Sequence, residues 1–409
     1  MRKNLRMGAA KVDVTPPVGL SMAGYAGRKS PAIGVHLPLW ARAFVCEQGL
    51  TRVALVVVDT VGFSEDTTEQ MREAILEQTG IAVDGILIAT THTHSGPVTT
   101  RFRDDAPDPS YLADLMERIV DAVIRASDNL QPVAVGFAQA PEARFHHNRR
   151  KDGQPIDSTL GLVRFSGEDG RVVAAWVNYG SHPTILTGTN LYWSPDFPGV
   201  VCNELEQAWG GTSAFFNGCL GDVGPYRPEQ NFVEVERVGV GLAGSARELV
   251  VDINQTDVSR LDARRLRCTC PLDALPTTAD LKEQLAGSRP DSYQAGWARD
   301  QLAMRAAGDA VPNAVQLELQ GFRIGDVFLA CFPGQLFGSW GLELRRRWPD
   351  DRLVIVNQAN AHAGYFPSKA GWDGGGYEVR SAFMFNSDLP APMTWEAGQR
   401  LIDTALALA

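Results

Sequence analysis

Short β-branched runs alternate along the chain with stretches in which apolar residues recur every three or four positions, the pattern of an α/β or α+β protein. The apolar runs predict strands over 53–58, 85–89, 134–138, 160–165, 172–179, 214–217, 326–331 and 353–357. Helical periodicity predicts helices over 64–78, 109–126, 197–208, 234–250, 279–305, 341–347 and 394–408. The spacing between these elements is too irregular for a repeat protein. The turn-forming DALPTT at 273–278 is the best candidate boundary, yet strand patterns resume beyond the helix that follows it. The chain therefore reads as a single α/β (α+β) domain over 1–409, with mixed sheets flanked by helices and a helical insertion at about 273–310.

Composition narrows the classes of function. With 409 residues, 44% hydrophobic and 21% charged, the chain can bury one large core or two ordinary ones. No window approaches the roughly 18 consecutive apolar residues of a membrane helix. The opening MRKNLRMGAAKVDVTPP carries basic residues without an apolar stretch behind them. A cytoplasmic location without membrane insertion is the expectation. The formal charge of −10 comes from well-mixed residues, with no basic run longer than Arg345-Arg346-Arg347, so a small-molecule substrate is expected and nucleic acid is not. The six cysteines (46, 202, 219, 268, 270, 331) contain no CxxC pair, which suits buried thiols better than a disulfide framework or a zinc knuckle.

Two patterns mimic nucleotide-binding loops. Gly239-Val-Gly-Leu-Ala-Gly244 satisfies GxGxxG, but it follows the charged, alternating NFVEVER rather than a buried strand, and so reads as small residues packing one face of a helix. Trp372-Asp-Gly-Gly-Gly376 lacks the Lys-Ser/Thr of a phosphate loop and reads as a mobile loop near a site.

The informative residues are histidines, of which the chain has seven. In ILIATTHTHSGP (86–97) an apolar strand runs into His92 and His94; on an extended chain residues i and i+2 share a face, so both rings can reach one pocket. Val177-Asn-Tyr-Gly-Ser-His-Pro-Thr184 repeats the arrangement, an apolar strand ending at His182 and a turn-forming proline. Binding groups gather at strand ends in α/β folds, and neutral imidazole is a common ligand for Zn²⁺, so the three together point to a metal or catalytic site. His146-His147, ahead of Asn148-Arg149-Arg150, read as a solvated polar loop. There is no HxHxDH, no HExxH, and no HxH close to the N-terminus of the kind an amidohydrolase barrel would carry.

THTHSGP at 91–97 stands in the company of GAAKVDVTPPVGLSMAGYAGR (8–28), GVHLPLWARAFV (34–45), NYGSHPTILTGTN (178–190), SPDFPG (194–199), NGCLGDVGP (217–225), FPGQ (332–335) and NQANAHAGYFPS (357–368). In this order the motifs resemble the neutral/alkaline ceramidase family across nearly the whole chain, and more closely its short bacterial relatives of unassigned substrate. The resemblance implies a zinc amidase whose metal ligands fall on His92, His182, position 335 and Tyr365. Position 335 is Gln where the family has a carboxylate, and an amide oxygen is a neutral, poorer zinc ligand. Affinity is expected to fall unless Asp196, Asp222 or Glu378 substitutes.

The same resemblance places the second His of the THTH motif at His94, as general acid or base, and a substrate-contacting arginine at Arg149. Tyr377 joins Arg149 as a donor to the oxyanion, and Asp196 is expected either to orient an imidazole or to cap the helix that begins near Phe197. The serine of the family's GDVSP motif is replaced by Gly224, which excludes a serine alkoxide there and leaves a metal-activated water. The family's longer members add a C-terminal immunoglobulin-like domain that this chain is expected to lack. The resulting expectation is a zinc-dependent hydrolase of an amide in a small soluble N-acyl substrate. An ester or lactone hydrolase, or a metal-poor relative that binds a ligand in the same pocket, stays open beside it.

Overall fold

Three parallel strand pairs, each joined through a helix, set the architecture of the computed structural model, which describes residues 5–103, 105–151, 153–255, 260–386 and 389–409. Thr51–Val58 passes through the helix Glu65–Thr79 to Ile86–Thr90. Val172–Tyr179 passes through Asp196–Trp209 to Thr212–Asn217. Val327–Cys331 passes through Gly338–Arg347 to Leu353–Val356. Parallel neighbours cannot be joined by a tight turn, so each pair needs a crossover helix, and loops collect beyond the strands' carboxyl ends.

The first two pairs form opposite edges of one large mixed sheet. Between them lie Trp40–Gln48, Arg6–Asp13, Gln131–Pro141 and Thr159–Gly167, all antiparallel to their neighbours. The third pair belongs to a smaller sheet with the long antiparallel hairpin partners Leu261–Pro271 and Ala314–Ile324. Leu55, Leu87, Phe165 and Trp176 of the large sheet share one buried cluster with Phe322, Leu329 and Val354 of the small one, so the two sheets face each other across a common core. Helices Pro109–Asp128 and Glu65–Thr79 cover the outer side of the large sheet at one edge, and Asp196–Trp209 and Phe232–Glu248 at the other. This is the mixed, helix-flanked α/β arrangement expected from the hydrophobic pattern.

A polar seam fastens the sheets. Arg72, almost fully buried, donates to Ile86 O (3.0 Å), Glu318 (2.8 Å) and Gln320 (3.1 Å). Asn360 donates to Gln320 (2.8 Å) and accepts from the Ile88 amide (3.0 Å), which pins the loop after Leu353–Val356 to the Ile86–Thr90 strand. Removing one partner from such a buried charged network strands the other without compensation, and costs on the order of 3–5 kcal/mol.

Several sequence expectations change. The helix expected at 279–305 is two, Thr278–Gly287 and Tyr293–Ala307, because Pro290 has no amide hydrogen to continue the ladder. Both lie between the paired strands Leu261–Pro271 and Ala314–Ile324. His146 is not in a solvated loop: it lies on a short strand, His146–Asn148, buried with Nδ1 on Gly180 O (2.8 Å) and its ring stacked on Tyr179. Its neighbour His147 pairs with Gly224 on the facing strand. The GxGxxG stretch lies within the helix Phe232–Glu248, where a Cβ on Gly239 would stand 2.4 Å from Val200 Cβ. Small size there permits the helix to pack against Asp196–Trp209. All six cysteines are buried and free.

Candidate metal centre

The proposed ligands and His94 each follow the carboxyl end of a strand in a parallel pair. His92 and His94 follow Ile86–Thr90, His182 follows Val172–Tyr179, Gln335 follows Val327–Cys331, and Tyr365 follows Leu353–Val356. Gln335-Leu336 and Tyr365-Phe366 then pair with each other in parallel, Gln335 opposite Tyr365, so their side chains leave the same side of that short ladder.

The loops are held by side chains that chemistry alone would not single out. Asn217 donates to Thr91 O (2.9 Å) and accepts from the Ser181 amide (3.3 Å), tying the two histidine loops together. Asp59, in a fully buried ion pair with Arg42 (2.7 Å), also accepts from Thr91 Oγ1 (3.2 Å). His92 itself is left-handed, at φ 64°, so it and His94 do not meet as i and i+2 of an extended strand. The strand ends at Thr90, and a turn brings the rings together. A non-glycine residue held there costs about 1–3 kcal/mol, and such residues concentrate at functional sites. Asp196, Gln358 and Asn360, all beside the same loops, are also left-handed.

Hydrogen bonds fix two of the tautomers. His92 Nδ1 is 2.5 Å from Val61 O, and His182 Nδ1 is 3.0 Å from Val223 O. A carbonyl only accepts, so each Nδ1 carries the hydrogen and each Nε2 presents a bare lone pair. His92 Nε2 lies 3.3 Å from His94 Nε2, and one ring nitrogen from each of His92, His94 and His182 lies within 4.8 Å of the others. His94 differs from its neighbours, for its Nδ1 is buried with no partner. Gly24, at φ 100°, makes room for it: a Cβ there would stand 2.5 Å from the His94 ring.

Burial, with the neighbouring His362 ring adding to it, pushes His92 down to about 3. Burial likewise holds His94 and His182 well below the usual imidazole value, with nearby His92 and Arg149 acting in the same direction. The rings are neutral at physiological pH. The His182 Nε2 atom and both side-chain polar atoms of the fully buried Gln335 have no hydrogen-bond partner among the described residues. Leaving such groups unmet costs about 1–3 kcal/mol each, and a cation that accepts the lone pairs of His182 Nε2 and Gln335 Oε1 removes that cost for those two atoms. Neutral imidazoles, an amide oxygen and a phenol fit a divalent ion of zinc's character.

Arg149 reaches this centre from the strand His146–Asn148, donating to Tyr365 Oη (3.2 Å) and Gly221 O (3.0 Å) and pairing with Glu378 (3.0 Å). Tyr365 lies over His182 with ring centroids 6.4 Å apart. Tyr377 stands edge-on to Tyr365 and is 45% exposed. It begins the short helix Tyr377–Arg380, after glycines at 374–376 that join it to a second short helix, Lys369–Asp373, where a loop was expected. A Cβ at Gly224 would stand 3.4 Å from Arg149 Cβ, which places the missing serine's position beside the arginine.

The carboxylates expected to stand in for a missing acidic ligand are engaged elsewhere. Asp196 is the first residue of its helix, whose N-cap is Pro195, and accepts from the amides of Leu186 (3.0 Å) and Phe197 (2.8 Å), with no imidazole among its partners. Its burial raises it to about 6. Asp222 accepts from Asn148 and the Gly338 amide, and Glu378 from Arg149 and Arg150. Among the described residues no carboxylate joins the three imidazoles. Sequence reasoning passed over His362, whose ring stacks on His92 at 5.6 Å and whose Nδ1 meets Gln358 Oε1 at 3.1 Å. Its place in NQANAHAGY, directly after an apolar strand, was the signal.

With this geometry in view, residues 5–234 match the family model described as neutral/alkaline non-lysosomal ceramidase, N-terminal. A neutral ceramidase of Pseudomonas aeruginosa is 25% identical over 98% of this chain and 72% of its own length. Neutral ceramidase 3 of Arabidopsis thaliana is 29% identical over 42% of this chain. The match to the Drosophila melanogaster neutral ceramidase spans 36% of that protein, and the Arabidopsis match 27%. The crystal structure of the Pseudomonas enzyme superposes with a TM-score of 0.78 at 20% identity, covering 99% of this chain and 74% of that one.

Proposed function

The chain belongs to the neutral/alkaline non-lysosomal ceramidase family, and from that membership we propose that it is a zinc-dependent hydrolase of an amide bond in a small, soluble N-acyl substrate. As a member it is a hydrolase of the amidase kind. The observation that carries the metal is the pair of locked tautomers: two imidazoles whose Nδ1–H groups are bound to backbone carbonyls, with bare Nε2 atoms turned toward one point. That is the outer-shell arrangement by which histidine ligands are oriented. His92 and His182 are the proposed ligands, with Gln335 and Tyr365 completing the set.

Zinc held there supplies a Lewis acid that polarises the scissile carbonyl and brings the pKa of water toward about 7. The chain's own groups do the rest. His94, whose Nδ1 is tied to no carbonyl, is free to take a proton from the attacking water and return it to the leaving nitrogen. Arg149 directs its guanidinium at Tyr365 and, with Tyr377, donates to the developing oxyanion. Asp196 anchors the loop at Leu186 to the start of the helix through the Leu186 and Phe197 amides, with no imidazole among its partners. No helix among the described residues is long and apolar enough to cross a membrane.

Gln335 makes this a weak site for its kind, which gives the test. Gln335→Glu places a carboxylate where the cation sits, and zinc affinity is expected to rise at least about tenfold, the scale on which single side chains tune metal sites. Competition with a graded chelator measures it, alongside zinc-restored hydrolysis of N-acyl amines, N-acyl amino acids and lactones. Unchanged retention would put position 335 outside the coordination sphere. Hydrolysis indifferent to zinc removal would overturn the proposal.

A further inference from the structure

Next to the centre, with Arg149 and Glu378 in its wall, opens a cavity of about 580 Å³. Three consecutive cations line it, Arg149, Arg150 and Lys151, against two carboxylates, Asp222 and Glu378. The carboxylates are spent. Glu378 bridges Arg149 (3.0 Å) and Arg150 (3.3 Å), and Asp222 meets Asn148 (2.8 Å) and the Gly338 amide (2.6 Å). Arg150 is occupied further by the carbonyls of Gly371 and Gly375. Lys151 is exposed and, among the described residues, pairs with no carboxylate, so one positive charge faces the cavity uncompensated in a chain of net charge −10.

The remaining wall is polar as well. The Ser339 hydroxyl, in the first turn of the helix Gly338–Arg347, is buried against the cavity without a hydrogen-bond partner. Pro155, Phe337 and Ala370 supply the apolar side chains. A long alkyl chain lying here would desolvate the cations and the serine with nothing in return, whereas an anion would pair with both.

We propose that this cavity is an anion subsite and that the substrate is an amide carrying a carboxylate, of the N-acyl amino acid class, with its carboxylate between Lys151 and Ser339. The inference rests on Arg149 and Tyr365 being the reaction centre, because it is Arg149 that joins the cavity to the histidines. A positive pocket on an acidic surface also draws the anion selectively to this one place.

The test separates binding from turnover by using sulfonamide isosteres that the enzyme cannot hydrolyse. N-hexylsulfonylglycine and its neutral glycinamide, alike in size and different in charge, are titrated calorimetrically into the zinc-loaded protein. The acid is expected to bind at least about tenfold more tightly. Lys151→Ala should bring the two affinities to within about twofold with zinc content intact, and Lys151→Glu should reverse their order. Equal affinities in the wild type, or a preference that survives both substitutions, would overturn the subsite. An acid preference that depends on Lys151 in a protein that hydrolyses no amide would support the subsite and fault the amidase reading instead.

Discussion

His92→Ala and His182→Ala are each expected to leave the purified protein without stoichiometric zinc and to lower kcat/KM by a factor on the order of 10⁴ or more, since the metal supplies several kcal/mol of transition-state stabilisation. Both rings are buried, at 2% and 0% exposure, and each is oriented by a single carbonyl, Val61 O or Val223 O. Alanine removes the imidazole donor, while Val223 O keeps the backbone amide of residue 182 (3.1 Å) and Val61 O keeps the Thr90 hydroxyl (3.5 Å). Among the described residues no buried carboxylate stands by to replace the lost ligand, because Asp196, Asp222 and Glu378 are bound to amides, Asn148 and arginines. His146→Ala is the matched control: it loses bonds to Gly180 O and Ser158 in an equally enclosed place, so it should lose stability and keep zinc. Elemental analysis, thermal unfolding and turnover of an N-acyl substrate distinguish the variants. Full zinc content in either His92→Ala or His182→Ala would remove that ring from the ligand set.

What the chain reveals on reading follows from which forces are local. The strands at 53–58, 172–179 and 214–217 are apolar apart from Asn178 and Asn217 because crossover helices and the second sheet cover both faces, and they recur in the structure within two residues at either end. His92, His94 and His182 stood out for the same reason, each just past a buried apolar run, whereas position 335, Tyr365, Arg149 and Tyr377 were suggested only by the family resemblance. Leu261–Pro271 was not legible as a strand. Its Arg265 and Arg267 interrupt any apolar run, and they pair with Asp84, Glu318 and Glu65 on distant elements. Ala314–Ile324 hid in the same way, because its buried Glu318 and Gln320 face Arg72 across the seam.

Local pattern also failed at the loops. Nothing in THTH signals that His92 is left-handed, since that conformation is imposed by its amide on Thr60 O and its ring on Val61 O. Asn217, Asp59 and Asn360 position the loops through bonds to residues 126, 32 and 272 positions away. Only the folded chain brings those partners together.

His94→Ala should behave differently from either ligand variant. Its ring stands 3.3 Å from His92 Nε2, within reach of whatever His92 binds, but its Nδ1 has no carbonyl to hold one tautomer. Freedom to carry the proton on either nitrogen is what proton transfer requires and what a fixed ligand lacks. Near-normal zinc content is therefore expected, with kcat reduced on the order of 10²–10⁴-fold, the usual span for losing a general acid or base. Zinc per chain and single-turnover rates on one preparation give both quantities. If His94→Ala empties the site as completely as His92→Ala, the THTH motif is a two-ligand clamp and the proton must travel by another group.

The central claim is that His92 and His182 bind one metal through their Nε2 atoms, and crystals of the zinc-loaded wild-type protein test it most directly. Anomalous difference maps collected on either side of the zinc edge should show a single strong peak within about 2.0–2.2 Å of both Nε2 atoms, with the Gln335 and Tyr365 side chains turned toward it. A map without a peak among these histidines at full zinc loading, or with its peak bound elsewhere on the chain, would contradict the account.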